Sequence, residues 1–177
     1  MRLNKYFPIL IIAVLAACKN GETVFSNNTK SSRPSPPASV IGKVANAEIK
    51  IDYSSPAVRE RKIWGDLVPY DRIWRTGANE ATTIAVSKDV IINGENLPKG
   101  KYSLFTIPGP DKWVVIINKD WDLWGSYDYK ESKDALRLEV KPYQLEKHKE
   151  RMTFEIDTES IEFKWEKLGF ELAVKAN

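Results

Sequence analysis

From Val40 to the C-terminus, apolar and polar residues alternate with a period of two in short runs, and turn residues punctuate them. In "EIKIDY", Ile49, Ile51 and Tyr53 fall on one side and Glu48, Lys50 and Asp52 on the other. "TTIAVSKDVIINGENL" predicts strands over Thr82 to Ser87 and Val90 to Ile92. Asn93-Gly94 follows as a hairpin turn, because both residues tolerate positive φ. A strand over Lys101 to Ile107 ends at Pro108-Gly109-Pro110. "KWVVIINK" is almost continuously apolar, which places it centrally with both faces buried. "LRLEVKP" and "RMTFEID" alternate again. "IEFKWEKLGFELAV" switches phase between Ile161, Phe163, Trp165 and Phe170, Leu172, Val174, which reads as a closing hairpin. Helix is scarce, and a short helical turn is expected within Tyr129 to Ala135. About nine strands at this spacing predict an all-β fold, a single antiparallel β-sandwich or a jelly-roll-like variant.

The chain before Val40 follows a different pattern. Arg2 and Lys5 precede an apolar stretch from Tyr6 to Ala17. A membrane-spanning helix needs about 20 residues, so this shorter stretch has the size of a signal peptide. Leu15-Ala16-Ala17-Cys18 resembles the bacterial lipobox, whose cleavage leaves an acylated, palmitate-bearing cysteine. Cys18 is the only cysteine of the chain. Lys19 stands where Asp would be associated with inner-membrane retention, and no acidic run follows. The expected location is the outer membrane, lipid-anchored, facing the periplasm. Residues 19–39 are rich in Ser, Asn, Thr and Pro and too polar to offset the entropy of ordering them. The expected organisation is therefore a signal peptide over 1–17, a lipidated cysteine and flexible tether over 18–39, and the sandwich over 40–177.

Charge and composition narrow the chemistry. The formal net charge of +3 falls to about +1 without Arg2 and Lys5, which leaves no field for nucleic acid. The only histidine, His148, sits among charged residues and reads as an exposed loop residue. A Ser-His-Asp triad would have to use His148 and nothing around it resembles a nucleophile elbow, no free cysteine is left for a thiol nucleophile, and a single histidine cannot supply a zinc site, so all three are disfavoured. No glycine-rich phosphate loop is present, and no cofactor or metal is implied. Carboxylates remain, among them Asp52, Asp66, Asp71, Glu80 and Asp122 near aromatics, and glycoside cleavage needs only a facing pair.

Two clusters are candidate sites. "WDLWGSYDY" gathers Trp121, Trp124, Tyr127 and Tyr129, which could stack on sugar rings. The competing expectation is that two or more of them fold under the loop as core. The second cluster fills the long connection from Ser54 to Ala78 and ends in "IWRTGANE". It holds Arg59, Arg61, Trp64, Trp74, Arg75, Asn79 and Glu80, and with Trp124 these could line a pocket for an anionic or polyhydroxylated ligand. The alternative is bracing, with Arg75 paired to Glu80 or an aspartate and Asn79 capping the turn.

The stretches "DYSSPAVRERKIWGDLVPYDRIWRTGANE", "LPKGKYSLFTIPG", "NKDWDLWGSY" and "LRLEVKP" closely resemble a bacterial family known as domain of unknown function 2911. The resemblance covers residues 38–177. It implies a β-rich domain of the cell envelope in Bacteroidota-type bacteria, exported or lipid-anchored, and brings no catalytic residue with it. The leading functional expectation is a membrane-tethered binding or accessory module for a small polar, anionic or glycan ligand. A carboxylate enzyme acting on envelope glycans and a structural partner of an envelope protein are the alternatives.

Overall fold

The computed structural model describes residues 22–25, 33–44 and 46–177, the first of these runs as backbone only. The signal segment, Cys18 and the remainder of the tether lie outside the described residues. Eleven strands are seen among the described residues: β1 (Glu22–Phe25), β2 (Pro37–Val44), β3 (Ala47–Ser54), β4 (Thr82–Val86), β5 (Val90–Ile92), β6 (Glu95–Leu97), β7 (Gly100–Ile107), β8 (Trp113–Asn118), β9 (Asp134–Val140), β10 (Tyr143–Ile156) and β11 (Ser160–Ala176). The one helical turn among the described residues is a 3-10 turn at Glu131–Lys133, inside the expected window.

The strands form two antiparallel sheets, as the alternation predicts. One has seven strands in the order β1-β2-β3-β4-β7-β8-β9 and the other four, in the order β10-β11-β5-β6. Inward positions such as Ile49, Ile51, Ile84, Leu104 and Val115 meet Phe154, Phe163, Trp165 and Leu172 in one core between the sheets. Asn93 (φ 49°) and Gly94 (φ 91°) make the β5–β6 hairpin with two left-handed residues in succession. The apolar run of β8 lies between β7 and β9, second from the sheet edge, and is buried on both faces. Its outward residue Ile116 joins Ala81 and Phe105 in a second, smaller cluster on the outer face.

Three details depart from the sequence reading. Folded structure begins before Val40, because β2 starts at Pro37 and β1 pairs with it, Glu22 opposite Ile41 and Phe25 opposite Ala38. His148 lies exposed within β10, not in a loop. The C-terminal segment does not fold back: β11 is one strand of 17 residues. Its phase switch comes from Glu166, held at φ 56°, where the ladder with β10 shifts register. The surplus residues of the irregularity lie on β10, where Gln144 to Lys149 faces only Leu168 to Glu166, and across it the inward positions of β11 move from Ile161, Phe163 and Trp165 to Phe170, Leu172 and Val174. A bulge and a hairpin return leave the same alternation in the sequence.

The long connection between β3 and β4 is folded into the body of the domain. Near its start it runs along β10: Val58 N–H donates to Glu150 O at 2.8 Å and Met152 N–H to Pro56 O at 3.0 Å. Near its end it runs along β7, where Trp74 and Thr106 exchange two backbone hydrogen bonds of 2.7 and 2.9 Å. It therefore spans both sheets. Trp64 enters the core against Trp113 (centroids 4.6 Å apart) and Trp165 (5.7 Å), and Trp74 stacks on Trp165 at 5.8 Å with 19° between the planes. Trp64→Ala would empty the centre of this cluster, and urea unfolding should show a loss of about 3–5 kcal/mol. A loss below about 1 kcal/mol would mean that the connection is not part of the core.

Candidate functional site

Register places a polar row on the outer face of the seven-stranded sheet. Ser39 lies opposite Asp52, Asp52 opposite Thr83, and Thr83 opposite Ser103. Alternation turns these side chains away from the core, since Val40, Ile51, Ile84 and Leu104 beside them are buried. The next row is Ile41, Lys50, Ala85 and Lys101. Ser39 Oγ donates to Asp52 Oδ1 at 2.7 Å, and Lys50 Nζ lies 3.0 Å from Asp52 Oδ2. Ser103 Oγ donates to Asp120 O at 2.8 Å, which holds the start of the following loop to the sheet.

That loop, residues 119–133, lies over half of the outer face. Leu123 and Tyr129 cover Phe105 and Ile116, and Ala81 N–H donates to Leu123 O at 3.0 Å. Its far end is fixed by Asp134, which accepts from Asn118 Nδ2 and from the Tyr129 hydroxyl, each at 2.7 Å. Burial and the Asp134 carboxylate together push the pKa of the Tyr129 hydroxyl up to about 12. The half of the face left open is a groove of about 350 Å³. Its floor includes Ser39, Asp52 and Thr83; Trp121, Asp122 and Leu123 form one wall, and Pro37, Glu80 and Lys101 also line it. Lys101 Nζ sits 3.8 Å from the centre of the Trp121 ring.

Of the eight residues singled out from the sequence, only Glu80 lines this groove. Trp64 and Trp74 belong to the core cluster. Arg61 bonds the carbonyls of Val58 (3.0 Å) and Ala57 (2.6 Å) and so ties its own turn. Arg59, Asn79, Glu80 and Trp124 contact the N-terminal segment. Arg33 Nη1 meets both oxygens of Glu80, at 2.7 and 2.9 Å, and its guanidinium lies 5.9 Å from the Trp124 ring centre. Asn79 Nδ2 donates to Ser35 O and Ser54 Oγ, both at 3.2 Å, and Arg59 Nη2 to Pro34 O at 3.4 Å. Burial raises the Glu80 pKa, but the Arg33 hydrogen bonds outweigh it and hold this carboxyl below the usual range. The expected Arg75–Glu80 pair does not form, because Arg33 takes the carboxylate. Arg75 is half-buried beside Gly125, and its Nε is enclosed without a hydrogen-bond partner among the described residues.

Of the four aromatics in "WDLWGSYDY", Tyr129 alone folds under the loop, edge-on to Phe105 at 5.2 Å, while Trp121, Trp124 and Tyr127 stay exposed. Asp52, Glu80 and Asp122 all reach the groove, whereas Asp66 and Asp71 do not line it. Ser39, Thr83 and Lys101 escaped the sequence reading. Each is an outward position of a strand, and only cross-strand register brings them together.

The family model described as "Protein of unknown function (DUF2911)" matches residues 35–174, and the chain belongs to that family. No curated protein and no solved structure matches it.

The contrast between Asn79 and Arg75 is measurable. Asn79→Ala leaves the part-buried Ser35 carbonyl and the hydroxyl of buried Ser54 without this partner and should cost about 1–3 kcal/mol in urea unfolding. Arg75→Ala breaks no ion pair among the described residues and should stay within about 1 kcal/mol of the parent. The reverse order would restore Arg75 as the brace.

Proposed function

We propose that this DUF2911 member is a membrane-tethered lipoprotein of the cell envelope whose sandwich binds a neutral, hydroxyl-rich ligand, a short glycan, in the groove beside Trp121. The carrying observation is the Ser39–Asp52–Thr83 row set beneath an exposed indole. Hydroxyls and a carboxylate can exchange hydrogen bonds with sugar hydroxyls, and the indole offers an apolar surface to the ring carbons. The volume lies at the small end of ligand pockets, about 300–1,000 Å³.

Charge pairing favours a neutral ligand. Arg33 answers Glu80 and Lys50 answers Asp52, so no net field of either sign is left over those two carboxylates. The same pairing speaks against carboxylate catalysis. Glycoside cleavage needs one carboxyl that keeps its proton near neutral pH. Glu80 is shifted in the opposite direction, and Asp52 is tied to a hydroxyl and an ammonium group. The lipobox at Cys18 and the lysine after it support an anchor in the outer membrane with the domain in the periplasm.

Calorimetric titration with neutral oligosaccharides (chitotriose, cellotriose, maltotriose) tests the reading. At least one should bind, and Trp121→Ala should weaken it up to about tenfold, as expected for one aromatic stacking contact. The melting temperature should not change, because Trp121 lies outside the core. Binding unaffected by Trp121→Ala and Thr83→Val would remove the groove as the site.

A further inference from the structure

Five large hydrophobic side chains are exposed among the described residues, and four lie on one side of the domain. Ile41 (46% exposed) projects from the outer face of the seven-stranded sheet. Trp121 (43%), Trp124 (56%) and Tyr127 (83%) belong to the loop that lies over that face. Only Leu67 (43%) sits elsewhere, in the β3–β4 connection. Ile41 has the charged pair Lys50–Asp52 beside it on the face, so the concentration is not a leak of the core.

Strand β1 shows where this side stands relative to the anchor. Glu22 lies opposite Ile41, and Ile41 begins the row through Lys50 and Ala85 to Lys101, which touches Trp121. Three residues lie between Cys18 and Glu22, which makes four steps of chain. At about 3.6 Å per residue, even a fully extended chain spans no more than about 14 Å. A tether that reads as continuous from Cys18 to Ser39 in the sequence thus becomes a short leash once β1 is paired. The leash attaches at the edge of the same sheet that carries the exposed aromatics.

We infer that the outer face of the seven-stranded sheet, with Trp121, Trp124 and Tyr127 foremost, docks on the headgroup layer of the bilayer that holds Cys18. Tryptophan and tyrosine suit that layer, with an apolar ring toward the acyl chains and a polar atom toward water. Lys101 beside them supplies a cation for a lipid phosphate, whereas Arg33 and Lys50 are paired with Glu80 and Asp52, and the groove opens onto the membrane surface. The inference rests on the lipid-anchor reading of Cys18.

Tryptophan emission can test it directly. Trp64, Trp113 and Trp165 are buried and Trp74 is partly buried against the core, so the quenching that Trp121→Phe/Trp124→Phe removes reports on the two loop tryptophans. The acylated full-length mature protein is placed in vesicles of phosphatidylethanolamine and phosphatidylglycerol, with lipid brominated close to the headgroup. Docking predicts quenching by the bromolipid and loss of acrylamide quenching, both abolished in Trp121→Phe/Trp124→Phe. Vesicle binding by Cys18→Ser, with the same quenching, would support the face independently of the anchor. A protein that floats with the vesicles through Cys18 while both tryptophans remain acrylamide-accessible overturns the inference and leaves the anchor standing. A native protein that stays in the aqueous phase overturns both. Protection from acrylamide without lipid, together with a doubled mass, assigns the face to a second copy and overturns it too.

Discussion

The insertion of Trp64 and Trp74 between the two sheets is the contact on which the remaining structure depends. Both residues come from one connection, and they meet Trp113 from the large sheet and Trp165 and Phe163 from the small one. Such rings remove much apolar area from water, and pairs crossed edge-on add a further contribution. The indole N–H groups of Trp64, Trp113 and Trp165 are buried without a hydrogen-bond partner among the described residues. The cluster tolerates that cost because so much ring surface is buried with them. A connection of this length would otherwise be a mobile insertion; here it is packed into the sandwich and bonded to a strand of each sheet.

The position of that connection decides what is left for function. With its tryptophans committed to the interior, its polar residues face the other way and hold the N-terminal segment. Arg59, Asn79 and Glu80 take Pro34, Ser35 and Arg33 in turn, and the chain then enters β2 as one border of the groove. Meanwhile the loop after β8 uses Leu123 and Tyr129 to seal the apolar half of the outer face and leaves Trp121 over the polar half. The brace and the groove are thus divided between neighbouring elements. The "IWRTGANE" stretch supplies the brace, and the strand register supplies the floor of the groove.

Much of the fold could be read from alternation alone, because an inward set of Ile49, Ile51 and Tyr53 or of Met152, Phe154 and Ile156 has only one way to be buried. The site could not be read in the same way. Ser39, Asp52 and Thr83 stand well apart in the chain, on three different strands, and become neighbours only through antiparallel pairing. Ser39 was moreover hidden in a stretch whose composition is that of a linker. Ordered contacts with Asn79 and Glu80 compensate for that composition, and contacts of this kind leave no periodic trace. The bulge at Glu166 shows the same limit: a phase change marks an irregularity without showing whether the chain turns or continues.

The central claim is that ligand recognition belongs to the outer face of the large sheet and not to the arginine-rich connection. Amide chemical-shift mapping during titration with a bound oligosaccharide tests it most directly. The account predicts that the largest shifts fall on Ser39, Asp52, Thr83, Lys101 and the indole N–H of Trp121, with Arg59, Arg61 and Arg75 unmoved. Shifts centred on Arg75 and Gly125, with a silent β2–β3–β4 row, would contradict it.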